Sequence, residues 1–160
     1  MRIGLISDTH GDAHNTRAAV RMFESLEIDI LIHCGDIGSA EVVSLLAPWP
    51  THFVLGNMDP GNGLSKSIVD AGQNFHERFG QLEIDGRKIA FLHGDDSQLL
   101  RDSIDSQSWD LICFGHTHTA THFRQGQTLV VNPGAIRRTA SPSVAIVDLP
   151  EMELTPVRLA

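Results

Sequence analysis

The sequence predicts an α/β fold, and three patterns predict it. The first half alternates short apolar runs with stretches of helical periodicity, in the order β-α-β-α-β. The second half is mostly short β-like runs separated by turns. Five of the predicted strands stop at small clusters of polar residues, the arrangement expected where loops at strand ends carry a site. A length of 160 residues suits one domain over 1–160, since about 150 residues per domain is the usual scale. No linker, repeat or low-complexity stretch divides it.

Each element has a local reason. Residues 2–7 (RIGLIS) form an apolar run that halts at DTHGD, a buried strand ending in a loop. From Asn15 to Leu26, the residues Ala18, Ala19, Met22, Phe23 and Leu26 recur at helical spacing. Residues 29–33 (DILIH) are the next strand, ending at Cys34-Gly35-Asp36. Residues 40–47 suit a short helix closed by Pro48 and Pro50. A third strand, 51–55, runs into Gly56-Asn57-Met58-Asp59-Pro60. Parallel neighbours need crossover connections, so this opening implies parallel strands with helices packed on them. Residues 58–73 read as a Gly/Pro-rich loop with room for one helical turn. A hairpin follows, 81–85 and 87–92, hinged on Asp85-Gly86 and stopping at His93-Gly94. Residues 96–106 read as a helix and 110–114 (DLICF) as a strand ending at Gly115-His116-Thr117-His118. The runs 128–132, 143–148 and 152–157 complete the β-like half.

Composition narrows the function. Apolar residues make up 41%, and the 14 glycines bring this to about half, which excludes global disorder, a collagen-like repeat or a disulfide mini-protein. Twelve Lys+Arg face 20 Asp+Glu, a net charge of −8, and only Lys66 and Lys88 are lysines. Bulk nucleic-acid binding rests on many Lys/Arg–phosphate contacts and is not expected. Nine histidines and thirteen aspartates are instead the residue types that hold metals. Cys34 and Cys113 lie in apolar runs without a CxxC spacing and read as buried free thiols. The N-terminal apolar stretch is too short for a signal peptide, and no run approaches 18 apolar residues. A soluble cytoplasmic protein with no membrane association is expected.

The polar clusters are Asp8-Thr9-His10, Gly35-Asp36, Gly56-Asn57, His93-Gly94 and Gly115-His116-Thr117-His118. Tips of strands in one sheet would converge although these clusters are far apart in sequence. Together they offer two Asp, one Asn and four His. That is more than one divalent ion needs and suits two ions sharing a bridging carboxylate, the arrangement that clamps both the attacking and leaving oxygens of a phosphoryl displacement. Taken singly, each cluster is an ordinary cap or turn; their recurrence at five strand ends carries the argument. His14 reads as a solvent-exposed helix start, and His33 and His52 as structural, while His76 carries no signal.

In their order, D-x-H, GD, GN-x-[DE], a later H and GH-x-H, these residues resemble the calcineurin-like metallophosphoesterases. The short chain, Gly56-Asn57-Met58-Asp59 and Val131-Asn132-Pro133-Gly134-Ala135 are similar to the small YfcE-type phosphodiesterases, and the resemblance runs from Asp8 to Ala135. It implies a four-layer αββα sandwich, two mixed β-sheets with helices on the outside. It also implies one ion held by Asp8, His10 and His118, and another by Asn57, His93 and His116, with Asp36 bridging both. A hydroxide between the ions would attack phosphorus in line, which places Asp36, Asn57 and His93 at the chemistry. The ligand set suits Mn, Fe, Co, Ni or Zn, and the resemblance favours Mn. The expected partner is a small-molecule phosphodiester, with a homo-oligomer open. Two other readings stand beside it: a non-catalytic interaction scaffold, since a retromer subunit has a similar fold, and a nucleotide or cyclic-nucleotide phosphodiesterase.

One departure matters. Many members have His after the GN asparagine, where it protonates the leaving oxygen; here Met58 stands there and cannot. Such general-acid help contributes about 10²–10⁴-fold, so esters with acidic leaving groups, such as aryl esters, should be favoured. His122 is the candidate substitute acid, and Arg137-Arg138 read as a solvated pair within reach of a phosphate.

Overall fold

The computed structural model describes residues 1–59, 61 and 63–159; Pro60 and Asn62, in the predicted 58–73 loop, lie outside the described residues. In chain order the elements are β1 (Arg2–Ile6), α1 (Ala13–Ser25), β2 (Ile30–His33), α2 (Ala40–Leu46), β3 (Thr51–Phe53), α3 (Leu64–Asp70), β4 (Asn74–Phe75), β5 (Phe79–Ile84), β6 (Arg87–Leu92), α4 (Ser97–Asp105), β7 (Leu111–Cys113), β8 (Thr121–Gln125), β9 (Thr128–Asn132), β10 (Ser143–Asp148) and β11 (Glu153–Arg158).

The central strands are apolar on both faces, and a strand with two apolar faces must be covered on both sides. In β1, Ile3 and Leu5 enter one core while Ile6 enters another. In β10, Ala145 and Val147 face the first core, and Val144 and Ile146 the second. In β6, Ile89 and Phe91 share the first core, whereas Ala90 and Leu92 face a third. The first core therefore lies between two sheets. The second packs one sheet under α1, α2 and α3 through residues such as Phe23, Leu46 and Ile68, and the third packs the other sheet under α4 through Ile104. This is the four-layer αββα sandwich, with strand orders β11-β10-β1-β2-β3-β4 and β5-β6-β7-β9-β8. Both sheets are mixed: β1, β2, β3 and β4 run parallel, as do β6, β7 and β9, while the pairings β1–β10, β10–β11, β5–β6 and β8–β9 are antiparallel.

Three sequence expectations need correction. The polar strand tips do not come from one sheet: β1, β2 and β3 belong to the first, β6 and β7 to the second. The segment read as a loop with one turn contains α3, seven residues long, because Leu64 and Ile68 are four apart and bury on one face. Strands β4 and β8 went unread: β4 has two residues, and all five residues of β8 are exposed, so no alternation marks it and only its pairing with β9 makes it a strand. Cys34 and Cys113 are buried and free in the inter-sheet core.

The sheets are stitched together at the end where β1 and β6 begin. The Met1 ammonium donates to Asp85 at 3.0 Å and to the Leu149 carbonyl at 2.9 Å, and Arg87 Nε donates to the Pro150 carbonyl at 2.9 Å. The other end, where β1, β2, β3, β6 and β7 finish, is left to the polar loops. At the edge of the first sheet, His52 on β3 and His76 just after β4 share a hydrogen bond, Nδ1 to Nε2, of 2.8 Å, with both rings edge-on to Phe91. Burial lowers both imidazoles, His52 to about 4, and the neighbouring His76 adds to the shift on His52. A histidine depressed in the folded state takes up its proton first in the unfolded chain, so stability is full above the unfolded value of about 6.5 and falls as pH drops towards 4. The thermal unfolding midpoint should decline over that interval, and a His52→Gln/His76→Gln double variant should flatten that part of the profile.

Candidate metal centre

Each candidate ligand sits where a strand ends and its backbone turns sharply. Residues 8–11 after β1 and 35–37 after β2 remain zipped together: Asp8 N donates to the Gly35 carbonyl at 3.0 Å, His10 N to Asp36 at 2.9 Å and Gly11 N to Ile37 at 2.9 Å. Within this ladder Asp8 (φ 54), His10 (φ 43) and Asp36 (φ 56) adopt the left-handed region, as do His116 (φ 70) and His118 (φ 63) in the loop after β7. Non-glycine residues rarely pay that strain unless neighbours enforce it, and it concentrates at functional sites. Two glycines permit the crowding. A Cβ on Gly56 would overlap Asp36 Oδ1, and a Cβ on Gly115 would overlap Ser7 Oγ and crowd Asp8 Oδ2.

The side chains of Asp8, His10, Asp36 and His118 bring one ligand atom each within 4.8 Å of one another. His118 Nε2 lies 3.2 Å from Asp8 Oδ1, and His10 Nε2 lies 3.6 Å from Asp8 Oδ1 and 3.8 Å from Asp36 Oδ2. His93 adjoins this group, with Nε2 3.2 Å from Asp36 Oδ2 and 3.9 Å from Asp8 Oδ1. His116 meets His93 edge to face at 5.1 Å between ring centres. His116 and Asn57 are exposed and stand further out, Asn57 on the loop between Gly56 and Met58. The two histidines of the His-x-His pair thus flank the carboxylates on different sides, His118 beside His10 and His116 beside His93.

The protein occupies one atom of each inner ligand and leaves the other facing its neighbours. Asp8 Oδ2 accepts from Ser7 Oγ at 2.6 Å and from His116 N at 3.1 Å. Asp36 Oδ1 accepts from Met58 N at 3.0 Å. His93 Nδ1 lies 2.8 Å from the Cys34 carbonyl, so it must donate there, and a neutral ring then carries its lone pair on Nε2. The remaining atoms, Asp8 Oδ1 and His93 Nε2, are buried without a hydrogen-bond partner. Two lone-pair atoms 3.9 Å apart, each stripped of water, repel unless a positive charge sits between them. These residues fit divalent ions: the donors are imidazole and carboxylate, and their second atoms are held by outer partners.

The titration behaviour carries the same sign. Burial works against an ionised Asp36, yet His93 and the Met58 N–H outweigh it and hold this carboxyl at about 2. Burial works to lower His93, yet the Asp36 carboxylate and the Cys34 carbonyl outweigh it and raise its pKa. His10 is lowered, chiefly by burial, against the pull of Asp36. Both directions, Asp36 held down and His93 pulled up, mark a centre that favours positive charge.

Four supporting residues were not among the expected site residues. Asp59, 1% exposed, accepts from Gly56 N at 2.8 Å and Ile37 N at 3.1 Å through Oδ2, and from Gly38 N at 3.2 Å through Oδ1. It ties the loop after β3 to the loop after β2. Its place in Gly56-Asn57-Met58-Asp59 was visible, its partners were not. Ser7 orients Asp8, and Asn132 Nδ2 donates to the Gly115 carbonyl and to Thr117 Oγ1, both at 3.0 Å, steadying the His116–His118 loop. His33 is fully buried and lowered to about 3 by burial; it receives the Gly35 N–H on Nδ1 at 3.1 Å and meets Thr9 Oγ1 at 2.9 Å through Nε2, so its role is structural, as the sequence indicated. His14 is exposed in the first turn of α1. Met58 is 53% exposed, which excludes packing in the core.

The calcineurin-like phosphoesterase superfamily domain matches residues 1–152. The phosphodiesterase MJ0936 of Methanocaldococcus jannaschii is 31% identical over 159 residues, covering 96% of each chain. A solved structure described as a novel archaeal phosphodiesterase superposes with a TM-score of 0.91 at 30% identity, covering 99% of this chain and 100% of the other. Two more distant structures share the fold alone, each covering 100% of both chains: the phosphoesterase YfcE from E. coli (TM-score 0.73, 18% identity) and the zinc complex of Vps29 from Entamoeba histolytica (TM-score 0.69, 16% identity).

Replacing Asp59 by Ala should leave three backbone N–H groups without their charged acceptor. We expect a loss of about 2–4 kcal/mol in denaturant unfolding, given ~1.5–3 kcal/mol for a hydrogen bond to a charged group. Asp59→Asn, which keeps an acceptor oxygen, should lose less.

Proposed function

The chain belongs to the calcineurin-like phosphoesterase superfamily, whose members are metal-dependent phosphoester hydrolases, and we propose that it is a two-metal phosphodiesterase of small organic phosphodiesters. The observation that carries the reading is the pair of buried, unpartnered atoms Asp8 Oδ1 and His93 Nε2 facing Asp36. We assign Asp8, His10 and His118 to one ion and Asn57, His93 and His116 to the other, with Asp36 between them. The whole chain, 1–160, acts as one catalytic domain in the cytoplasm, with manganese the first metal to test. No helix among the described residues is long and apolar enough to cross a membrane.

When bound, two divalent ions supply a hydroxide near neutral pH and offset the charge that develops on the phosphoryl oxygens. The chain's residues prepare the site for them. Ser7 and the His116 N–H hold Asp8 so that Oδ1 faces inward. The Met58 N–H holds Asp36 so that Oδ2 faces both His10 and His93. The Cys34 carbonyl fixes the His93 tautomer. Rigid outer partners of this kind raise metal affinity about 10–100-fold. Met58 cannot donate a proton to the leaving oxygen, so the reaction depends on the leaving group's own acidity. This favours aryl over alkyl esters. An interaction scaffold would not need seven ligand-competent side chains at five strand ends, and catalysis leads for that reason.

The test is a metal-by-substrate matrix on the stripped protein. Hydrolysis of an aryl phosphodiester should appear only after adding Mn, Fe, Co, Ni or Zn; activity without added metal refutes the mechanism. Asp36→Asn should lower kcat/KM by at least roughly 10²-fold, because both ions lose a ligand. Met58→His should raise the rate on an alkyl diester by about 10²-fold with a smaller gain on the aryl ester, and an unchanged aryl-to-alkyl ratio would count against the leaving-group argument.

A further inference from the structure

The inter-sheet core does not close on the side of the edge strands. Where β8 and β9 of one sheet face β10 and β11 of the other, a cavity of about 520 Å³ opens, within the ~300–1,000 Å³ of small-molecule sites. At the far end of β8 from His118, Arg124 reaches across to the Met152 carbonyl at 3.5 Å. His118 lines the cavity and also lies 3.2 Å from Asp8, so cavity and centre share a wall.

The lining has a definite chemistry. Val131, Ala145, Leu154 and Pro156 make an apolar surface. His122 and Arg158 stand in the wall with several hydroxyl groups. Although the chain holds 20 acidic residues, none lines the cavity among the described residues. A cationic group would find no partner there, whereas a flat apolar group would exchange water for carbon.

We infer that this cavity receives the organic substituent of the phosphoester, and that it selects esters carrying a compact, uncharged, largely apolar group such as an aryl ring. The inference rests on the phosphodiesterase reading for its substrate and on the cavity for its selectivity. A phosphorus held at the centre places one ester oxygen beside His118, and the substituent on that oxygen extends between the sheets. His122 then lies along the substituent and contributes to its binding.

Two cavity-filling variants test this, Thr121→Trp and Pro156→Trp; both positions are exposed and lie outside the proposed metal ligands. With metal-loaded enzyme, KM for a diaryl phosphate should rise about tenfold in each, with kcat within twofold, as expected when a ring loses much of its burial. Without added metal, titrating full-length ¹⁵N-labelled protein with diphenyl phosphate should shift the Val131, His122 and Leu154 amides and leave Lys66 unmoved, and the variants should lose those shifts. Unchanged KM in both variants, or shifts that map elsewhere, overturns the inference. So does concentration-dependent broadening of those amides without ligand, which would mark the cavity as a contact between copies. A wild-type protein that hydrolyses nothing but still shows the shifts refutes the phosphodiesterase reading and leaves the cavity assignment supported.

Discussion

Two carboxylates that cannot escape each other organise this molecule. Asp8 is fully buried and Asp36 nearly so, and both face imidazole nitrogens across 3.2–3.9 Å. Buried charges of one sign persist only if something positive is close or the carboxyls protonate. Asp36 stays ionised at about 2, so the protein meets the demand from the other side, with His93 raised. Every loop at this end is shaped around that arrangement.

Holding the arrangement takes backbone more than side chains. Five candidate ligands sit at positive φ, a conformation that relaxes unless enforced. The enforcement is the continuation of the β1–β2 ladder into the loops, through Asp8, His10 and Gly11. Asp59 then binds the third loop to the second, and Asn132 steadies the fourth. The hydrophobic cores beneath contribute most of the folding free energy. The hydrogen bonds hold the loop backbones.

The two sheets divide the labour. The first carries Asp8 and Asp36 in the loops after its adjacent parallel strands β1 and β2, and the second brings His93 and the His116–His118 loop beside them. Neither sheet alone carries all the candidate ligands. Packing the sheets on one shared core, with Cys34, Val54, Phe91 and Cys113 at its middle, is therefore what assembles the centre. The same assembly also leaves a recess next to His118, between β8 and β9 of one sheet and β10 and β11 of the other.

Much of this was legible in the sequence for a physical reason. Ligand chemistry is local: Asp-x-His, Gly-Asp, Gly-Asn and Gly-His-x-His each show donor types, and glycine beside them shows backbone freedom. Apolar runs of four to six residues likewise mark the buried strands, and Asp85-Gly86 marks its hairpin. What the chain could not show by itself depends on distant partners. Strand β8, all of it exposed, exists only through β9; α3 shows only when Leu64 and Ile68 find their core; Asp59 becomes a clamp only when two other loops present their N–H groups. The sequence by itself determined which donor types stand at the strand ends. The tertiary structure decided which of them face one another, because that distance is set by the packing of two sheets and not by any spacing along the chain.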